Sequence, residues 1–405
     1  MSSPRDLAGP VTGELLERGA EIMETHWRPQ GFTCPNSGTY PWLWLWDSCF
    51  HSIIWAHLGN DERAVVELET ALSSQDADGF IPHLAYLDGY DGHAGFWGRD
   101  GTSSITQPPI YGHAVAELTR MGIDVPERLL TQAADGIRFL LDRRRRSSSG
   151  LVELVHPWES GCDHSPRWDD LMRLDGTQAD HDPYDGEIWF NRKGELLESI
   201  VRSPAGAPLS NPDFAVGSVA FNAIVAFCAQ ELALVTGDDE LDRQSRELGS
   251  ILRGHWNADL RTWTDDGPTA AGSGRIRTLE SLLPLLVEKD QAIVADVLAQ
   301  LIDTDAFGGQ FGLWQVHPDE PRFRRGSYWR GPTWPQLDYL MWLAITRVGR
   351  ADLAAGVAGR TRRGMDTSGF AEYWDADTAR PGGAVPQSWA VLGTCMAGSP
   401  ANGAS

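Results

Sequence analysis

Residues 228–245 read CAQELALVTGDDELDRQS. Apolar residues recur at helical spacing up to Gly237, and an acid-rich start to a second helical pattern follows. A glycine just past a helix accommodates the left-handed cap that ends it, and an acidic residue soon after begins the next helix. The stretch therefore predicts two helices joined by a short turn. The same junction recurs in WAHLGNDERAVVELETAL (55–72) around Gly59, in HAVAELTRMGIDVPERLL (113–130) around Gly122 and in LAITRVGRADLAAGV (343–357) around Gly349. Between 213 and 232, Val216, Ala220, Ala223, Ile224 and Phe227 fall on one helical face. Four such junctions predict an all-α chain of stacked αα-hairpins. With little strand signal and no dividing linker, we read residues 1–395 as a single toroid of paired helices and 396–405 as a flexible tail.

Long segments without helical pattern separate the hairpins, at roughly 28–44, 74–108, 154–190, 200–212, 305–333 and 363–385. Connections of that length in a compact domain are usually functional, and we expect them at one end of the toroid.

The 405 residues carry 34 Lys and Arg against 56 Asp and Glu, a net charge of −22. A pI near 4.8 argues against nucleic acid as a partner, because phosphate binding needs clustered cations. The five cysteines, Cys34, Cys49, Cys162, Cys228 and Cys395, show no CxxC spacing. They form neither a disulfide framework nor a zinc site. The N-terminus lacks the apolar core of a signal peptide, and no apolar run is read as long enough to span a bilayer. The expectation is a reduced, cytoplasmic protein without membrane contact. Homo-oligomerisation is left open.

Seventeen tryptophans are far more than a core requires, and they concentrate in or beside the long segments. The aromatic stretches are YPWLWLWDS (40–48), ITQPPIYGHA (105–114), HPWESGCDHSPRWDD (156–170), SYWRGPTWP (327–335), SGFAEYWD (368–375) and QSW (387–389). Flat aromatic faces suit the C–H surfaces of a sugar, and neighbouring carboxylates and amides suit its hydroxyls. An aromatic-rich core is the bland alternative.

Glycoside hydrolysis needs two carboxyl groups on opposite sides of the anomeric carbon, one a proton donor and the other a base or nucleophile. Asp163 and Glu372 come from aromatic stretches in different halves of the chain, so a cleft can lie between them. Asp163 can also be read as a helix cap before Ser165-Pro166. Glu159 is its rival, read as a sugar-binding or loop-positioning group. Asp169 and Asp170 are read as starting a helix through 171–174 and stabilising its N-terminus. Asp375 is read as a turn anchor.

In combination, YPWLWLWDS, QPPIYGHA, ESGCDHSPRW, YWRGPTWP and GFAEYWD resemble glycoside hydrolase family 63, in particular its compact bacterial members. The matches run in order from about residue 40 to 390. The resemblance implies an (α/α)6 toroid and an inverting, metal- and cofactor-free mechanism on a small α-glucoside or α-mannoside, glucosylglycerate or mannosylglycerate first. It implies Asp163 as the acid and Glu372 as the base. Carried over by position, Tyr40, Trp44, Trp46 and Asp47 belong to the sugar pocket and Gln107 to the QPP motif. Tyr328, Trp329 and Gly331 lie beside sugar and aglycone, and Gln387 and Trp389 near the aglycone. Trp158 and Trp168 are expected to wall the acid's loop. A glycerate carboxylate calls for a cation, for which Arg167, Arg202 and Arg330 are the candidates.

Trehalase or oligosaccharide α-glucosidase activity is the alternative within the class. A sugar 2-epimerase would instead need paired histidines. A non-catalytic sugar-binding protein would keep binding without turnover. His51, His57 and His113 share no metal spacing and are read as core or rim histidines. DHDPYDGE (180–187) lacks the glycine and terminal glutamate placement of an EF-hand. DGYDGHAGFWGRDG (88–101) is read as a mobile flap whose Phe96 and Trp97 close over a ligand.

Overall fold

The structure is a computed structural model that describes residues 12–90, 93–172, 187–267 and 275–396, without the side chains of 187–190. Residues 180–186 of the acidic stretch, the N-terminal segment 1–11 and nearly all of the predicted tail lie outside the described residues.

All four glycine junctions are present. Gly59, Gly122, Gly237 and Gly349 have φ between +72° and +80°, a region that costs a residue with a Cβ but not glycine. They join α1 (Leu45–His57) to α2 (Asp61–Leu72), α3 (Tyr111–Arg120) to α4 (Glu127–Arg138), α5 (Val219–Thr236) to α6 (Asp239–Arg253), and α7 (Pro335–Arg347) to α8 (Ala351–Ser368). The expected acidic start is realised in two ways. Asp238 caps α6 with its own carboxylate, accepting from the backbone N–H groups of Glu240 and Leu241. At the other three junctions Asn60, Pro126 and Arg350 occupy the cap, and the acids (Asp61, Glu127, Asp352) sit inside the first turn. There they still complement the helix dipole.

The first helix of each hairpin lies inside the ring and the second outside. α1 is buried at every position from Leu45 to Ala56. The outer α6 instead buries only Leu241, Ser245, Leu248 and Leu252, the one-sided pattern of a surface helix. Two shorter inner segments complete the ring, the 3-10 turns at Glu280–Leu286 and the Ser388–Cys395 stretch. Neighbour follows neighbour in the order α1, α3, α5, 280–286, α7, 388–395, and the last packs back on α1. The outer layer is completed by Gly13–His26 against 388–395 and by Gln291–Ile302 against 280–286. This is an (α/α)6 toroid.

Two readings need correction. Val216 is not on α5: it pairs as strand with Leu154, and the helix starts at Val219 behind the Ser218 cap. α5 is also an 18-residue helix of mean hydropathy 1.7, so an apolar run of membrane-spanning length does exist, and 78% of it is buried inside the protein.

The inner helix of each of the four glycine hairpins is followed by a short turn at its C-terminal end, so the long connections enter at inner-helix N-termini. That geometry places them together at one mouth of the ring. Strand is limited, among the described residues, to six two-stranded pairs that brace these connections.

Candidate active site

At that mouth lies a pocket partly open to solvent. Its lining comes from every aromatic stretch singled out in the sequence. Tyr40, Trp44, Trp46 and Asp47 enter from the start of α1, Gln107 from before α3, Asp163 from the 156–170 loop, Tyr328 and Trp329 from before α7, and Glu372, Gln387 and Trp389 from after α8. Pro35 and Gly161 line it too, and the sequence reading did not single them out. Gly161 was legible as the glycine of ESG: it has φ +71°, and a Cβ there would press on the Trp46 ring at 2.6 Å.

Four expected residues are elsewhere. Glu159 is fully buried behind the wall, in a two-pronged ion pair with Arg144 at 2.8 Å on each oxygen. It also accepts the backbone N–H groups of Thr106 and Val155. It thus ties the Gln107 segment to the acid's loop and leaves no oxygen for a sugar. Trp168 is fully buried with its indole N–H on the Cys162 carbonyl, a clamp within the loop instead of a wall. Trp158 packs with His83, Trp97 and Phe96 in a separate aromatic cluster. Gly331 is a packing glycine, since a Cβ there would meet the Arg324 carbonyl at 2.6 Å.

The aspartates that follow also change role. Among the described residues, Asp169 to Met172 form a turn, and 173–174 of the expected helix lie outside them. Asp169 is buried between Arg330, which holds both its oxygens at 2.9 and 2.5 Å, and Arg322 at 2.9 Å, and so fastens the 156–170 loop to the 322–330 segment. Asp170 pairs with Arg322 at 3.3 Å. Arg330 is therefore engaged. Arg167 is held by Asp265 and Ser218, and Arg202 donates to the Ser104 carbonyl and hydroxyl. None of the three expected arginines lines the pocket. Asp375 does anchor its turn, accepting from Asp377, Thr378 and Arg325. In the expected flap, Trp97 is buried and bonded to the Tyr86 hydroxyl at 2.9 Å, and neither it nor Phe96 lines the pocket.

Glu372 is the best-held carboxylate of the site. Oε2 accepts the Ala384 N–H at 2.9 Å, and Oε1 accepts the Tyr40 hydroxyl at 3.1 Å. Its carbonyl accepts the Trp389 indole N–H at 3.1 Å. The strand pair Tyr373–Trp374 with Pro381–Gly382 folds the chain back over it. Gly383, at φ +69°, lies so close that any Cβ would overlap the carboxylate.

Burial pushes the Glu372 carboxyl up to about 7, with the two donors opposing and the Asp163 charge adding to the rise. Burial raises Asp163 to about 6, opposed by the Lys193 ammonium. Asp47 is raised well above the usual carboxylate range, first by burial, with Glu372 and Asp163 adding to it. Three carboxyls thus feel one another across the pocket, and each is shifted toward carrying a proton at neutral pH.

Lys193, in the helix Glu187–Glu198, had no signal in the sequence. Its ammonium is buried 2.9 Å from His164 Nε2 and stands 4.6 Å over the Trp158 ring. Burial lowers it to about 8, with Asp163 opposing. Three pocket residues carry buried polar atoms with no protein partner: the indole nitrogens of Trp44 and Trp329 and Oε1 of Gln387. Polar atoms in that state suit a ligand rich in hydroxyls. Trp329 is also held at φ +56°, stacked face to face on Trp334 at 3.6 Å, backbone strain of a kind that concentrates at ligand sites. Among the described residues no histidine lines the pocket, whereas three carboxyls do.

A helical toroid with three carboxyls lining one aromatic pocket at its mouth defines a toroidal glycoside hydrolase. The chain matches the mannosylglycerate hydrolase MGH1-like glycoside hydrolase domain over residues 40–390, and it belongs to that family. It is 31% identical to the glucosylglycerate hydrolase of Mycolicibacterium hassiacum, over 86% of this chain and 90% of that one. It is 28% identical to the mannosylglycerate hydrolase of Thermus thermophilus, over 92% and 98%. A crystal structure of the family 63 mannosylglycerate hydrolase from Thermus thermophilus, in complex with Tris and D-glycerate, superposes with a TM-score of 0.80. The two are 25% identical, over 94% of this chain and 99% of that one. A yeast neutral trehalase, at 14% identity and TM-score 0.56, shares the fold.

Proposed function

We propose that the protein hydrolyses the α-glycosidic bond of glucosylglycerate or mannosylglycerate with inversion at the anomeric carbon. Asp163 donates the proton to the leaving oxygen, and Glu372 takes a proton from the attacking water on the opposite face. The observation that carries the assignment is the asymmetry of the two carboxyls. Glu372 has a donor on each oxygen, an arrangement that favours the ionised form a base needs. The raised values do not by themselves separate the roles, because burial dominates both and places Glu372 slightly above Asp163. The hydrogen-bond pattern supports Glu372 as the base. Asp163, raised to about 6 by burial, retains a proton in a useful range.

The glycerate aglycone is supported by Lys193 and by the relatives' substrates. The leaving group departs on the Asp163 side, and Lys193, which does not itself line the pocket, acts on Asp163 as a positive charge and so favours an anionic aglycone there. Incubation of the purified protein with glucosylglycerate, mannosylglycerate, trehalose and isomaltose, with NMR of the first-released anomer, tests the proposal. Turnover of a glycerate glycoside with release of the β-anomer is expected. Release of the α-anomer refutes inversion, and preference for trehalose returns the trehalase reading.

A further inference from the structure

Behind the pocket, Ser388, His51 and Glu67 form a fully buried series that the reaction itself does not use. Glu67 accepts the Thr33 backbone N–H on both oxygens, at 3.0 and 2.9 Å, and the Thr33 hydroxyl at 2.7 Å. Its Oε1 lies 3.6 Å from His51 Nδ1, a packing distance longer than a hydrogen bond. His51 Nε2 shares a hydrogen bond with the Ser388 hydroxyl at 2.6 Å, and that hydroxyl also reaches the Pro35 carbonyl at 3.1 Å. The order resembles a nucleophilic triad, but with no exposed surface no substrate can reach Ser388.

Ser388 instead stands between two walls of the pocket. Its neighbours Gln387 and Trp389 line one wall, and its own N–H donates to the carbonyl of Pro35, in the other, at 3.0 Å. Asn36 Nδ2 closes the same seam on the Pro386 carbonyl at 2.8 Å. Both walls then converge on Glu372, through the Tyr40 hydroxyl on one side and the Trp389 indole N–H on the other. His51 lies one helical turn below Asp47 on α1, so one helix face carries both a pocket carboxyl and the relay.

We infer that Ser388, His51 and Glu67 are positioning residues for Glu372: they fix the seam between segments 35–40 and 384–389 that aims its carboxylate. The inference rests on the proposed hydrolysis for its kinetic test. Ser388→Ala and Glu67→Gln should each lower kcat on the glycerate glycoside by about 10- to 100-fold, the scale of a small misplacement of a catalytic group, with KM little changed. The double variant should be no slower than the worse single one, because both break one chain through His51. Hydrogen exchange supplies a readout independent of turnover. Amides of 35–40 and 384–389 should exchange faster in both variants while those of α5 do not change. If the protein turns over no glycoside, the functional reading fails and the exchange result alone decides the relay. Should Ser388→Ala not fold, the near-isosteric Glu67→Gln carries both measurements. Wild-type kcat in the variants, additive losses, or unchanged exchange across the seam overturns the inference.

Discussion

The Tyr40 hydroxyl donates to Glu372 Oε1 at 3.1 Å across 332 positions of sequence. It closes the ring, joining the segment that enters the first inner helix to the one that leaves the last hairpin. It also makes a prediction, because this donor lowers the proton affinity of Glu372. Tyr40→Phe should move the acidic limb of the kcat/KM profile to higher pH, since a base must be ionised to act. An unmoved limb assigns it to another group.

The wild-type profile itself should be a narrow bell. Activity falls below the range where Glu372 protonates and above the range where Asp163 ionises. With raised values of about 7 and about 6, the pair titrates as a unit, and the maximum lies close to pH 6.5. A broad plateau from pH 5 to 9 contradicts the pairing.

Asp163→Asn should reduce kcat on a natural glycoside by about 10²- to 10⁴-fold and leave product binding intact. A substrate whose leaving group needs no proton should be spared. Equal losses on both substrates remove Asp163 from the role of acid.

The same burial carries a cost in stability. Both carboxyls have folded values above their unfolded ones. The stability they contribute is therefore fully present below about pH 4 and is lost as pH rises through 6 to 7. Asp163→Asn and Glu372→Gln should each raise thermal stability at pH 8, by an amount on the order of 3 kcal/mol or less, and have little effect near pH 4. Calorimetry at the two pH values separates this from a general packing effect.

Glu159→Gln should behave in the opposite way. Removing one charge of a buried pair leaves Arg144 uncompensated, at a cost of about 3–5 kcal/mol. The folded fraction should keep its KM, because no Glu159 oxygen reaches the pocket. A selective rise in KM with normal stability restores Glu159 as a sugar ligand.

Lys193→Met should weaken binding of free glycerate and leave glucose binding nearly unchanged, measured by calorimetry. Equal weakening of both ligands argues that the ammonium serves Asp163 alone.

Local chemistry made the fold readable. Gly59, Gly122, Gly237 and Gly349 mark the hairpins because only glycine enters the left-handed region at little cost, and helical periodicity marked what lay on either side. The same local rules misplaced Val216, where a strand pair with Leu154 overrode the helical face it shares with Ala220. Aromatic and acidic residues clustered in the long connections pointed to Tyr40, Trp46, Asp163, Glu372 and Trp389, since a sugar site needs those side chains wherever they come from.

Within one stretch, HPWESGCDHSPRWDD, the sequence could name four acids but not their neighbours. Which acid faces a pocket and which faces an arginine depends on residues far away: Arg144 for Glu159, Arg330 and Arg322 for Asp169. Lys193 and the Ser388–His51–Glu67 series left no trace in spacing, because their partners meet only when the ring closes. The sequence by itself determined the helical hairpins and the chemistry at their mouth, since both follow from local conformational preference and residue type. Tertiary structure alone decided which charges are paired and which face the ligand, because electrostatic partnership is set by distance in space.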